Sequence, residues 1–293
     1  MRELIVLSGK GGTGKTSVTA AFASIAENMV MCDADVDAAD LHLLLDPDIQ
    51  QRTDFKGGGI AIIDQDKCTQ CGLCRELCKF GAVEEVEQGF KVDEIECEGC
   101  GVCVDLCPEN AIDFPIKTCG EWYISDTRFG RMVHAKLGIA EENSGKLVAL
   151  VRQEAKKIAE TEKLDLIITD GPPGIGCPVI ASIGQATAIL IVAEPTVSGL
   201  HDMERVADLA AFFKVPAMVC INKYDLNDDQ TEAIEKTAMN KNIEVVGNIP
   251  FDPDFTKAMI QGKTIFEYDN NSQASRIIKG IWNKIMENPV MNK

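Results

Sequence analysis

Short, continuous apolar runs alternate along this chain with stretches of helical periodicity. Leu4-Ile5-Val6-Leu7, Met29-Val30-Met31-Cys32, Leu164-Asp165-Leu166-Ile167-Ile168, Ala188-Ile189-Leu190-Ile191-Val192-Ala193 and Pro216-Ala217-Met218-Val219-Cys220-Ile221 are apolar at nearly every position. Strands with one wet face would alternate instead, so these read as parallel strands covered on both faces. Ser17–Ala23, Lys146–Glu162 and a segment of about four turns between the last two strands carry apolar residues at helical spacing. Ile249-Pro250-Phe251 ends one more strand. This alternation predicts an α/β fold, a doubly wound and mainly parallel sheet. The last helix, Ser272 to Met286, gathers Ile277, Ile278, Ile281, Trp282 and Ile285 on one face. A terminal helix needs such a face to dock on a core, and that reading is preferred to membrane binding.

The pattern breaks between the second strand and Lys146. Gly57-Gly58-Gly59 marks a boundary, and residues 57–115 are expected to form a domain inserted between 1–56 and 116–293. Glu121–Ser125 and Arg131–Ala135 read as a strand pair turning near Gly130. Glu142-Asn143-Ser144-Gly145 is a turn and N-cap signal ahead of the long helix. His134 has no partners nearby in sequence and is assigned to packing or surface.

Composition narrows the class. The 293 residues are 45% hydrophobic, ordinary for a globular chain, and no apolar run is long enough to cross a bilayer. The N-terminus enters the first strand without a signal peptide's charged start, so a cytoplasmic protein without stable membrane insertion is expected. Twelve cysteines then point to metal or redox chemistry rather than disulfides. A net charge of −17 argues against a nucleic-acid partner.

The candidate chemistry begins after the first strand. Gly9-Lys10-Gly11-Gly12-Thr13-Gly14-Lys15-Thr16 fits G-x-x-x-x-G-K-[ST], and the strand before it and helix from Ser17 after it supply the context that motif needs. Backbone N–H groups of such a loop curl round phosphate at a helix N-terminus. Lys15 is expected to reach the terminal phosphates, and Thr16 to ligate Mg²⁺. The second strand runs into Asp33-Ala34-Asp35-Val36-Asp37, and the third into Thr169-Asp170-Gly171-Pro172-Pro173-Gly174. Carboxylates at strand ends beside a phosphate loop can meet a metal ion, and Asp170 is the expected holder of its shell.

Lys10, second in the octet, resembles the deviant P-loop of the MinD/ParA/Mrp family, which includes the nitrogenase iron protein. The resemblance implies a homodimer closing on ATP, with Lys10 reaching the partner's phosphates. It implies that Asp35 orients the attacking water, that Asp33 or Asp37 lies in the metal's outer shell, and that Gly171–Gly174 senses the terminal phosphate. Asn222-Lys223-Tyr224-Asp225 has the spacing of the guanine-reading N-K-x-D, yet related ATPases use an asparagine there for adenine. ATP is therefore expected over GTP, with Asn222 and Pro250 at the base. Cys177 follows Asp170 at the distance of a cluster cysteine in the nitrogenase iron protein. Either it binds a bridging cluster, with Cys119 as a possible second ligand, or it is a small residue at a helix start.

Cys68-x-x-Cys71-x-x-Cys74-x-x-x-Cys78 recurs as Cys97-x-x-Cys100-x-x-Cys103-x-x-x-Cys107-Pro108, 29 residues on (97 − 68). A zinc site takes four ligands and would not call for two such runs. The pattern resembles bacterial two-cluster ferredoxins, a small α+β module in which the fourth cysteine of each run serves the other cluster. One 4Fe–4S cluster is then expected on Cys68, Cys71, Cys74 and Cys107, the other on Cys97, Cys100, Cys103 and Cys78. Lys79 stands where proline is usual, without loss of a ligand. Residues 66–113 hold 12 acidic and 4 basic side chains, net −8 (4 − 12), which favours low potentials and fits a basic partner.

Joined, these readings predict an ATPase whose nucleotide state governs electron delivery, or metal-cluster assembly, on an acceptor protein. An Mrp-like cluster carrier and a MinD/ParA-like positioning switch with structural clusters are the alternatives.

Overall fold

The computed structural model describes residues 1–138 and 144–292. The turn expected at Glu142-Asn143 thus lies outside the described residues. Nine strands form one sheet, in the order Glu244–Ile249, Ala217–Asn222, Ala188–Ala193, Arg2–Ser8, Leu166–Pro173, Met29–Asp33, Gly130–Leu137, Ile116–Thr127, Asp48–Gly59. The first seven pair in parallel throughout. All five apolar runs lie in this parallel part, and alternation is hidden in them because both faces are covered. Leu4, Val6, Leu190, Val192 and Met218 enter one core, whereas Ile5, Leu7, Ile189, Ile191 and Val219 enter the other. Helices Lys15–Ala23 and Gln273–Glu287 cover the first face and Val197–Phe212 the second. The terminal helix docks as expected, with Ile278, Ile281, Trp282 and Ile285 buried and Trp282 tilted against Phe22 at 5.0 Å. No helix among the described residues is long and apolar enough to cross a membrane.

The chain divides into two compact units. One comprises 1–52, 122–136 and the chain from 144 onward; the other comprises 53–121 with the stretch beginning at Leu137. This corrects the expected boundaries. Gly57-Gly58-Gly59 lies inside the strand Asp48–Gly59, and the division falls at Arg52/Thr53 and at Glu121/Trp122. These glycines serve packing rather than a turn, because a Cβ on Gly57 would strike the Phe55 ring and one on Gly59 the Phe114 ring.

In the first unit, Arg152 of the helix Ser144–Glu162 ties three elements together. Its guanidinium donates to both Glu3 carboxylate oxygens at 2.9 and 2.7 Å and to the carbonyls of Ala181 and Gly184. Glu3 in turn accepts from Thr169 Oγ1. Arg152→Ala would leave a half-buried carboxylate and two carbonyls unpartnered. It is expected to lower unfolding free energy by about 2–3 kcal/mol in urea titration. His134 is indeed a packing residue, bonded to Ser125 Oγ at 2.8 Å and stacked on Tyr123, and burial pushes its pKa down to about 4.

The second unit has an internal two-fold plan at the same offset of 29. Ile63 pairs with Ile112 and, 29 residues on from each partner, Val92 pairs with Val83. Asp64 N donates to Ala111 O and Asp93 N to Ala82 O, both at 2.8 Å. Helices Leu73–Leu77 and Val102–Asp105 start from Gly72 and Gly101, both in the left-handed region (φ 78° and 75°) that a side chain would strain.

Candidate functional site

The loop between the first strand and helix Lys15–Ala23 builds a cluster of buried charge. Gly14 opens the helix at φ 90°, and the amide of Asn222 fills the space its Cβ would take. That amide donates to Thr13 O at 2.7 Å, and Lys223 Nζ donates to Gly12 O at 3.0 Å. The ends of two neighbouring strands thus hold the loop's shape.

Lys15 is 6% exposed, with its Nζ 2.9 Å from Asp170 Oδ1 and 3.4 Å from Asp35 Oδ2. Burial alone would lower its pKa, but Asp170 and Asp35 outweigh that and hold it above the usual lysine value. Thr16 and Thr19 hydroxyls donate to Asp170 Oδ2 and Oδ1 at 2.8 and 2.9 Å. Asp33 is buried, its Oδ1 accepts from Asp35 N, and its Oδ2 has no partner. Burial, then the charge of Asp170, raises the Asp33 pKa well above the carboxylate range. Burial likewise lifts Asp35 to about 6 despite Lys15 beside it. Three acidic groups around one ammonium are short of positive charge. An unpartnered carboxylate oxygen and a threonine hydroxyl at strand ends suit a hard, oxygen-preferring cation such as Mg²⁺.

These residues open into a cleft of about 340 Å³, a size usual for small-molecule sites. Lys10 through Ser17, Asp35, Asn222 and Pro250 line it, so these sequence-predicted residues share one wall. Gly9 lies at its edge, tight against Asp202, and Asp37 is outside the lining. Sequence reasoning missed Thr19, Lys223, Phe255 and Met259. Thr19 sits one helical turn beyond Lys15, a spacing that could have drawn attention to it.

Lys10 is placed otherwise than expected. Its Nζ contacts Glu194 of its own chain at 2.5 Å and Ser198 Oγ at 3.1 Å. Free phosphate-loop lysines seek the nearest carboxylate, and Glu194, which also lies 3.6 Å from Lys223, supplies it. Cys177 is exposed at the start of helix Cys177–Ile183, whereas Cys119 is buried in the second unit.

The eight remaining motif cysteines all lie in the second unit, and all are reduced thiols. A cavity there is lined by Cys68, Cys71, Cys74 and Cys107, joining three residues of the first run to the last of the second. Cys97, Cys100 and Cys103 stand close enough for their charges to act on one another, and burial raises the Cys103 thiol pKa. Burial raises that of Cys74 too. Six of the eight pack on the apolar core of Ile63, Val83, Phe90, Val92 and Ile112. Among the described residues, no three Cys, His, Asp or Glu side chains converge as a single-ion site. A cubane cluster takes its sulfurs at four separated corners, so a thiol-lined cavity in a small apolar core fits it better than it fits zinc.

Residues 4–265 match the sequence model of the CobQ/CobB/MinD/ParA nucleotide binding domain. An uncharacterized protein of Methanocaldococcus jannaschii is 33% identical over 97% of this chain and 96% of its own length. Among solved structures, the cell division ATPase MinD of Pyrococcus furiosus superposes with a TM-score of 0.59 at 18% identity, covering 98% of each chain. The septum site-determining protein MinD of Pyrococcus horikoshii, complexed with Mg-ADP, gives 0.61 at 16% identity, covering 100% of this chain and 98% of that one. At those identities the structures establish a shared fold.

Proposed function

The chain belongs to the CobQ/CobB/MinD/ParA nucleotide-binding family, and from that premise we propose an ATP-hydrolysing iron–sulfur protein that couples nucleotide state to electron transfer or metal-cluster assembly on a partner. The observation that carries the reading is the cavity bringing Cys107 to Cys68, Cys71 and Cys74 in a chain that also holds the Lys15–Asp170 cluster.

In this reading the phosphates enter the loop 9–16, and Lys15 exchanges its carboxylate partners for phosphate oxygens. Thr16, Asp170 and Asp33 hold Mg²⁺, which supplies Lewis-acid stabilisation of the developing charge. Asp35 accepts a hydrogen bond from the attacking water and aligns it. Lys10 leaves Glu194 and meets the phosphates of a second copy, so that dimer closure completes the charge balance. Cys68, Cys71, Cys74 and Cys107 hold one 4Fe–4S cluster, and Cys97, Cys100, Cys103 and Cys78 the other; each stores one electron.

Asp35→Ala is expected to bind ATP with little loss while hydrolysis falls by about a hundredfold or more, since aligning the water is its only task. Equal loss of binding and turnover would instead make it a loop-shaping residue. Coupling itself is tested on anaerobically purified protein, by hydrolysis with clusters oxidised and then reduced while EPR follows both centres. A rate or spectrum that responds to the other ligand's state supports the proposal, because linkage is reciprocal. Indifference in both directions favours a MinD/ParA-like positioning switch with structural clusters.

A further inference from the structure

Asn222-Lys223-Tyr224-Asp225 has the spacing by which guanine is read, and the geometry of its aspartate bears on which base the cleft accepts. Reading guanine takes both oxygens of one carboxylate, because the base presents two adjacent donors, N1–H and N2–H. Asp225 has no such pair to offer. Its Oδ1 accepts the backbone N–H of Phe251 at 2.6 Å, a charge-assisted bond. Its side chain lies outside the cleft lining, which at this end is formed by Lys223, Pro250, Phe251, Phe255 and Met259. Asp225 stands behind the wall that a base would meet.

The rest of the motif is likewise engaged with protein. Asn222 holds Thr13 O, and Lys223 holds Gly12 O from a left-handed backbone (φ 59°). The 3₁₀ turn Tyr224–Leu226 that carries Asp225 is itself fixed by Thr231 Oγ1, which donates to Tyr224 O at 2.7 Å. Asp225 therefore connects an anchored turn to the segment 250–252, which follows the strand Glu244–Ile249 and leads into helix Asp254–Ile260.

We propose that Asp225 is a positioning residue that fixes the Pro250–Phe251 wall, and that the cleft consequently selects adenine over guanine. A guanine held there would bury two donors that Asp225 does not meet, and unpaired buried donors are what a site rejects most strongly. Adenine presents one amino donor beside a ring acceptor, which a backbone carbonyl and N–H satisfy. The assignment rests on the nucleotide-binding reading of the same cleft.

The test is displacement of a fluorescent ATP analogue by ATP, GTP and XTP, with Mg²⁺, from wild type, Asp225→Ala and Asp225→Asn. Wild type is expected to prefer ATP to GTP by about tenfold or more. Asp225→Ala loses the bond to Phe251 and is expected to weaken ATP and GTP alike, by about three- to tenfold, leaving their ratio unchanged. Asp225→Asn keeps an oxygen that accepts the Phe251 N–H, so it restores ATP affinity to within about twofold of wild type and gains nothing for XTP. A wild-type preference for GTP, or an Asn variant that exchanges GTP for XTP, overturns the assignment while leaving nucleotide binding intact. Failure of wild type to bind any of the three overturns the nucleotide reading, and this assignment with it.

Discussion

Lys15→Ala is expected to abolish ATP hydrolysis and, without nucleotide, to make the chain far easier to unfold at pH 8 than at pH 5. Lys15 is the ammonium in direct ion-pair contact with Asp170 and Asp35, and it also lowers the pKa of the buried Asp33. Removing one member of a buried charge cluster leaves the others uncompensated, at a cost of about 3–5 kcal/mol. The sign of the pH dependence follows from the carboxylates. Asp33 and Asp35 already have raised pKa values, Asp35 about 6, and losing Lys15 raises both further. A group whose pKa is higher folded than unfolded binds its proton more tightly in the folded chain. Its stabilising contribution is full below the unfolded value of about 4 and disappears as pH rises through the folded value. The variant's deficit should therefore be greatest at pH 8 and shrink towards pH 5. Both tryptophans, Trp122 and Trp282, lie in the first unit, so their fluorescence in urea reports on the unit that contains Lys15. A deficit equal at the two pH values would mean that Lys15 contributes packing rather than charge.

Much of this was legible in the sequence, and unevenly so for physical reasons. Buried parallel strands such as Ala188–Ala193 are uniformly apolar because both faces are covered, and their limits could be read directly. The loop 9–16 and Asp170 are legible because phosphate and metal binding restrict residue type at fixed positions along the chain. The partners of those residues are not. Glu194 meets Lys10 across 184 residues (194 − 10), and Thr231 meets the backbone at Tyr224 through a side chain that looks like any helix-start threonine. The triplet Gly57–Gly59 misled, because glycine marks a turn by its backbone freedom but equally marks a strand crossed by aromatic rings. The same sequence signal has two physical causes, and only the neighbours at Phe55 and Phe114 decide between them.

Cysteine substitutions carry the other large effect, and their pairing separates two arrangements that share one composition. If the fourth cysteine of each run serves the other cluster, Cys107→Ser removes the cluster held by Cys68, Cys71 and Cys74. Iron in anaerobically purified protein then falls from about eight atoms per chain to about four, with one of two EPR signals lost. Cys68→Ser removes the same cluster, so Cys68→Ser with Cys107→Ser together retain about four irons, no fewer than either alone. Cys97→Ser with Cys107→Ser strike different clusters, and together they leave about none. Were each run self-contained, the outcomes would exchange: the 97/107 pair would keep one cluster and the 68/107 pair would lose both. The cavity that joins Cys107 to Cys68, Cys71 and Cys74, and the reciprocal bonds Asp64 N to Ala111 O and Asp93 N to Ala82 O, favour the crossed arrangement. Each run folds back so that its end lies beside the start of the other. A protein that takes up no iron in any form would remove the redox half of the proposed function and leave the nucleotide half standing, since Lys15, Thr16 and Asp170 interact without it.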